Sequence, residues 1–211
     1  MFCLTKHTKT LKATRALTNS YFNEDTLNLV RSMYENYLQV SSALHDPVHF
    51  EDELQARVGI QKETHVWEKD YIKEKTSGKT VRLLNNRQRA ALDKEFQHEN
   101  LMLYRGLYDY LSSFVHPNLK IASHYFEGSK LSHNLNRWQL PIFFYIVLVN
   151  VLLLFDLLRY GLFKGQSSLD IKCFVRLIIP VLMEALDATN SEDSPIISKR
   201  LTKMSRSPIL K

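Results

Sequence analysis

QLPIFFYIVLVNVLLLFDLLRY, Gln139 to Tyr160, is the longest apolar run in the chain, and its reading decides the fold. A membrane-crossing helix needs roughly 20 apolar residues. This run has that length, and Trp138, Arg159, Tyr160 and Lys164 flank it as residues flank a membrane span. Asn150 and Asp156 interrupt it. The stretches around it carry apolar stripes that need a partner to cover them. The run is therefore expected to be the central buried helix of a bundle. A membrane span is the rival reading.

Working outward, Ser167 to Asp170 has the S-x-x-D pattern that caps a helix start. Phe174, Leu177, Ile178, Val181, Leu182 and Ala185 follow as one stripe, with Pro180 inside predicting a kink. Upstream, NEDT (Asn23 to Thr26) places acids in the first turn of a helix over 24–44. Leu27, Val30, Tyr34, Tyr37, Leu38 and Ser41 recur along it at helical spacing, and HDP at His45 to Pro47 ends it. Residues 48–76 are highly charged and read as one or two exposed helices. TSGKT, Thr76 to Thr80, is a turn. Glu74 stands where a phosphate-binding loop needs glycine, so that motif is absent. Residues 85–98 favour helix. From Asn100 a strong pattern runs through Leu101, Tyr104, Leu107, Tyr108, Leu111 and Val115 to His116, where Pro117 stops it. HPNLKIASHYFEGSK, His116 to Lys130, reads as a loop with a short extended piece.

The fold class is thus all-α: a single helical bundle of about five to seven helices over 23–188. A basic N-terminal arm or helix (1–22) precedes it, and a flexible basic tail (189–211), read as disordered, follows. The chain has 211 residues, 45% of them hydrophobic, with only 6 Gly and 6 Pro, too few turn formers for a many-stranded β fold. The net charge of +6 suits an anionic partner but is far from a histone-like excess. Lys6, Lys9, Lys12 and Arg15 sit in an acid-free start, and Lys199, Arg200, Lys203, Arg206 and Lys211 in the tail. Cys3 and Cys173 have no metal or redox spacing, which fits a reducing, cytoplasmic compartment. No secretory signal is visible.

Chemistry concentrates on two helices. At about 100° per residue, Arg105, Ser112 and His116 form a polar line beside the apolar stripe of the 100–116 helix. On the 24–44 helix, Arg31 and Glu35 lie along the border of its stripe, four residues apart and close enough to pair. Packing the two stripes together brings Arg31, Glu35, Ser112 and His116 to one edge. The bland reading is a surface ion pair contributing a few tenths of a kcal/mol, beside a histidine that favours a helix C-terminus. The functional reading makes His116 an acid/base that titrates near neutrality, Arg31 a phosphate ligand and Glu35 its orienter. Tyr34, Arg105, Tyr108 and Ser112 would bind substrate. Such a set needs no metal and no cofactor to cleave RNA, where the 2′-hydroxyl is the nucleophile.

RSMYE, Arg31 to Glu35, and LSSFVHP, Leu111 to Pro117, resemble the two signature segments of a bacterial family, domain of unknown function 5677, over roughly residues 20–190. The resemblance implies an all-helical cytoplasmic protein found among mobile or phage-defence genes, with no established activity. More distantly, the chain resembles HEPN ribonucleases: helical bundles, usually dimers, with an R-x(4–6)-H motif on a late helix. Here Arg105 and His116 lie about three turns apart, which departs from that motif. Arg31 would have to take the arginine's place.

The expected function is a bacterial defence- or toxin-like protein, a metal-independent HEPN-like endoribonuclease. One alternative is a non-enzymatic partner of protein or nucleic acid, alone or as a homodimer. The other is an effector attached to a membrane through 139–163. His45 and His49 offer a metal pair that Pro47 breaks, so no metal is assigned. No G-x-S-x-G elbow is present.

Overall fold

A computed structural model describes residues 2–20, 22–114, 126–127, 130–131, 139–189 and 194–211. The chain order is α1 (Phe2–Asn19), α2 (Asn23–His45), α3 (Pro47–Gln61), β1 (His65–Glu68), β2 (Tyr71–Glu74), β3 (Thr80–Arg82), α4 (Asn86–Ala90) and α5 (Gln97–Leu103). A π-helical turn over Tyr104–Tyr108 joins α5 to α6 (Asp109–Ser112) as one rod. Then come β4 (Phe126–Glu127), β5 (Lys130–Leu131), α7 (Gln139–Arg159), α8 (Gly165–Thr189), α9 (Ser194–Ser205) and a 3-10 turn at Pro208–Leu210. The fold is predominantly all-α, with a small three-stranded sheet.

α7 is the hub. Ile142, Leu148, Val149, Val151, Leu152 and Phe155 are fully buried, so the helix is apolar because neighbours cover most of it. α2 and α8 pack along it, and α1 packs along α2. α7 is also long and apolar enough to cross a membrane. α2 starts with Glu24 and Asp25 in its first turn. At HDP one helix ends and the next begins at once. The Asp46 side chain accepts a hydrogen bond from the His49 amide at 3.1 Å, capping α3, and Pro47 occupies its first turn. Asn85 and Gln88 form a capping box for α4. α8 runs continuously through Pro180.

Three expectations are corrected. Phe174, Leu177 and Val181 of the stripe expected on α8 are exposed, because the bundle takes the face of Val175, Ile179, Leu182 and Leu186 instead. Residues 48–76 were expected as exposed helices, but only α3 is helical. From His65 the chain forms β1 and β2, antiparallel with Val66 opposite Lys73, and β3 pairs with β2, Ile72 opposite Val81. Lys69, at φ 51, turns the first hairpin, and Ile72 and Val81 pack under α3 on Ala56. The strands are short and charged, so their alternation is faint. The disordered tail is also overturned. α9 buries Ile197, Leu201 and Met204 completely, and Arg200 with them. These residues recur at helical spacing, but the basic residues among them give the segment a solvated look. α1 is the helix of the two readings offered for 1–22, with Cys3, His7, Thr14 and Thr18 buried against the bundle.

His7 sits on α1 with its Nε2 3.2 Å from Asn150 Oδ1 of α7. Burial lowers its pKa below 6.5, with Asn150 opposing. Burial lowers that of His45 as well, against the pull of Asp93. A histidine with a depressed folded pKa binds protons better when unfolded. Its contribution is therefore full above about pH 6.5 and is lost as pH falls from there through the folded pKa. Thermal melts from pH 8 to pH 5 should show a falling Tm below about 6.5, and His7→Gln should flatten part of that fall. An unchanged slope in His7→Gln would refute the assignment to His7.

Candidate functional site

Arg31 and Glu35 occupy successive turns of α2 and form an ion pair, Nε to Oε1 at 3.3 Å. Across from them the rod opens into its π turn. Wider turns of this kind are rare and occur often at functional sites. Here the turn carries Tyr104 and Tyr108 with their rings stacked, centroids 4.8 Å apart and planes 22° off parallel. Arg31 Nη2 donates to Tyr108 Oη at 2.8 Å, and Tyr108 Oη donates to Glu35 Oε1 at 3.2 Å. The Arg31 guanidinium carbon lies 4.8 Å from the Tyr108 ring centre. Three side chains from two elements thus close a small ring around one guanidinium. Arg31 stays 21% exposed and Glu35 30%, so the cation is held yet reachable from solvent.

Of the residues expected in the site, the structure joins Arg31, Glu35 and Tyr108. Ser112 lies one turn beyond Tyr108, and its hydroxyl donates to the Tyr108 carbonyl at 2.5 Å. Arg105 is exposed on the same turn and makes none of the cluster's bonds. Tyr34 is in the bundle interior, 1% exposed, stacked against Tyr37 at 5.9 Å. Burial drives its phenol far above the ordinary range, so it stays protonated. His116 lies outside the described residues. Tyr104, a stripe residue by its spacing, joins the cluster through its ring contact with Tyr108. Its phenol pKa is raised by partial burial and by Tyr108.

A second polar constellation lies in the interior. Asp156 of α7, 1% exposed, accepts from Tyr37 Oη at 3.1 Å. Its other oxygen lies 3.5 Å from Arg159 and 3.9 Å from Arg200 of α9. Arg159 donates to Asp93 at 2.6 Å and to Glu95 at 2.7 Å. His45, at the end of α2, has Nε2 3.6 Å from Asp93 and Nδ1 2.6 Å from Tyr160 Oη. Phe96 is the platform. The guanidinium carbons of Arg200 and Arg159 lie 3.8 and 4.9 Å from its ring centre, and Lys203 Nζ lies at 4.7 Å. Burial raises the Asp156 pKa, while for Asp93 burial, the largest single effect, is outweighed by the Arg159 hydrogen bond together with the charges of Arg159, His45 and Arg200, which lower it. In the sequence Asp156 stands out only as an interruption of the apolar run. An ionisable residue inside an apolar helix demands a partner, and that demand was the available signal.

The sequence model of a family of unknown function (DUF5677) matches residues 1–133, a span that holds α1 to α6 and the Arg31–Glu35–Tyr108 cluster. No curated protein and no solved structure matches the chain.

Proposed function

The chain belongs to the DUF5677 family, and from that premise we propose that the Arg31–Glu35–Tyr108 cluster is the phosphate-holding part of a metal-independent RNA-cleaving site in a defence- or toxin-like bacterial protein. The carrying observation is the held but reachable guanidinium of Arg31 beside a tyrosine pair. A guanidinium binds phosphate through paired N–H donors, and fixing it beforehand lowers the ordering cost. Tyr104 and Tyr108 supply aromatic faces of the kind on which single-stranded bases stack. His116, four residues after Ser112 in sequence, is the acid/base. It takes the proton of the 2′-hydroxyl as that oxygen bonds to the adjacent phosphorus; the P–O5′ bond breaks, leaving a 2′,3′-cyclic phosphate on one fragment, and water protonates the departing 5′-oxygen of the other. Glu35 orients Arg31 and takes no part in proton transfer.

The test is induced expression of wild type, Arg31→Ala and His116→Ala, with growth and total RNA followed and folding checked by circular dichroism. Growth arrest with RNA fragments is expected for wild type. A general acid/base contributes about 10²- to 10⁴-fold, so fragments should disappear in folded His116→Ala. Intact RNA in wild type, or fragments that persist in both folded variants, would sink the reading. RNA binding that weakens with salt and yields no product would favour a non-enzymatic partner protein instead.

A further inference from the structure

We propose that His45, Asp93 and Asp156 form a binding site for a divalent transition-metal ion, separate from the Arg31 cluster. The three side chains come from the end of α2, the turn between α4 and α5, and α7. One ligand atom from each lies within 4.8 Å of the others. Two ligand atoms, His45 Nε2 and Asp156 Oδ1, are buried and make no hydrogen bond among the described residues; their nearest charged groups stand at 3.5 Å or more, Asp93 from the first and Arg159 and Arg200 from the second. Their side chains are 8% and 1% exposed. Buried polar atoms without partners are costly and call for an explanation.

The remaining atoms are held as metal-ligand side chains are usually held. Tyr160 Oη lies 2.6 Å from His45 Nδ1, and Tyr37 Oη donates to Asp156 Oδ2. The amides of Glu95 and Phe96 point at Asp93 Oδ1. We assign the imidazole proton to Nδ1, shared with Tyr160. Nε2 then presents a lone pair toward two carboxylates, an arrangement that is repulsive without a cation between them. The cation nearest by is Arg159, 2.6 Å from Asp93 and 3.5 Å from Asp156.

Arg159 is therefore the competitor for this site. It already touches Glu95 at 2.7 Å, and Glu95 is 57% exposed, so the guanidinium has an outward partner to hold when it leaves. Asp93, Asp156 and Arg200 together carry a net charge of −1 once Arg159 is discounted. The interior needs a positive charge there, from the guanidinium or from an ion. One imidazole and two carboxylates select zinc, cobalt, manganese or iron over calcium and magnesium, which prefer all-oxygen shells. Solvent supplies the other positions.

Cobalt(II) is the probe, titrated into the metal-stripped full chain and read by visible absorption. Melting temperature is followed with zinc or manganese. Wild type should bind one cobalt per chain and melt higher with zinc. Arg159→Met, which keeps all three ligands and removes the competitor, should bind cobalt at least tenfold more tightly and gain more melting temperature. His45→Gln and Asp156→Asn should each lose at least tenfold. No cobalt spectrum in wild type and in Arg159→Met overturns the proposal. So does cobalt binding that persists unchanged in whichever of His45→Gln and Asp156→Asn folds. Neither outcome touches the RNA-cleavage reading, because the two sites share no residue.

Discussion

Arg200→Ala is expected to cost about 3–5 kcal/mol of stability, the range for removing one partner of a buried ion pair. Arg200 is fully buried, and its guanidinium lies over Phe96 at 3.8 Å and 3.9 Å from Asp156. Two losses combine. A desolvated cation over an aromatic ring contributes about 2 kcal/mol. Removing it also leaves Asp156 buried with Tyr37 and Arg159 as its remaining partners. Asp156 can then lower the cost only by taking up a proton, so the deficit should shrink as pH falls. Lys199, the preceding residue, is exposed, and Lys199→Ala should stay within about 0.5 kcal/mol. Denaturant unfolding at constant m measures both. A loss below about 1 kcal/mol for Arg200→Ala would show that α9 is not part of the cooperative core. Replacing Arg200 by Met and Asp156 by Leu together should recover part of the loss, because apolar substitutes remove the buried charge at both ends.

That prediction concerns a helix which the sequence, read alone, assigns to a flexible tail. The reason is physical. α9 is 12 residues long, with Lys199 and Arg200 at its middle and Lys203 in its last turn. Local pattern says a basic residue is solvated. Only the fold reveals that Arg200 lies over Phe96, 104 positions earlier. The same holds for the whole interior network, in which His45, Asp93, Asp156 and Arg200 arrive from four separate segments. By contrast, α2 and α7 are legible because each buries an apolar pattern that repeats over many turns; α8 is legible as a helix but not in its orientation, since it buries Val175, Ile179, Leu182 and Leu186 and leaves Phe174, Leu177 and Val181 exposed. The Arg31–Glu35 pair is legible for the same reason, since four residues on a regular helix fix the distance.

The facing half of that site is only partly legible. Uniform winding at about 100° per residue placed Arg105, Ser112 and His116 along one line. The π turn at Tyr104–Tyr108 breaks the rule. A wider turn changes the register of every later residue relative to every earlier one. Tyr108 therefore meets Arg31, while Ser112 turns back to bond the Tyr108 carbonyl. Nothing in YRGLY compels the wider turn. The rod meets α2 through α6, a contact between elements that a single-helix argument does not include.

Phe143 and Phe144 allow the central helix to be tested with adjacent residues of one type. Phe144 is 4% exposed and packs edge-on against Tyr145, with ring centroids 5.4 Å apart. Phe143 is 48% exposed. Phe144→Ala removes a core ring and leaves a cavity, for an expected cost of about 3–5 kcal/mol. Phe143→Ala has no such cavity to open and should cost less than about 1 kcal/mol. The contrast discriminates between environments for α7. In a water-surrounded bundle, burial in protein sets the cost, and the two neighbours differ by several kcal/mol. In a lipid-embedded helix, both rings would face apolar surroundings of lipid or protein, and the difference would shrink. Chemical denaturation of the chain in aqueous buffer, with both variants compared at equal m, measures this directly. Near-equal costs for the two substitutions, or a chain that stays folded only in detergent, would reassign α7 to the membrane.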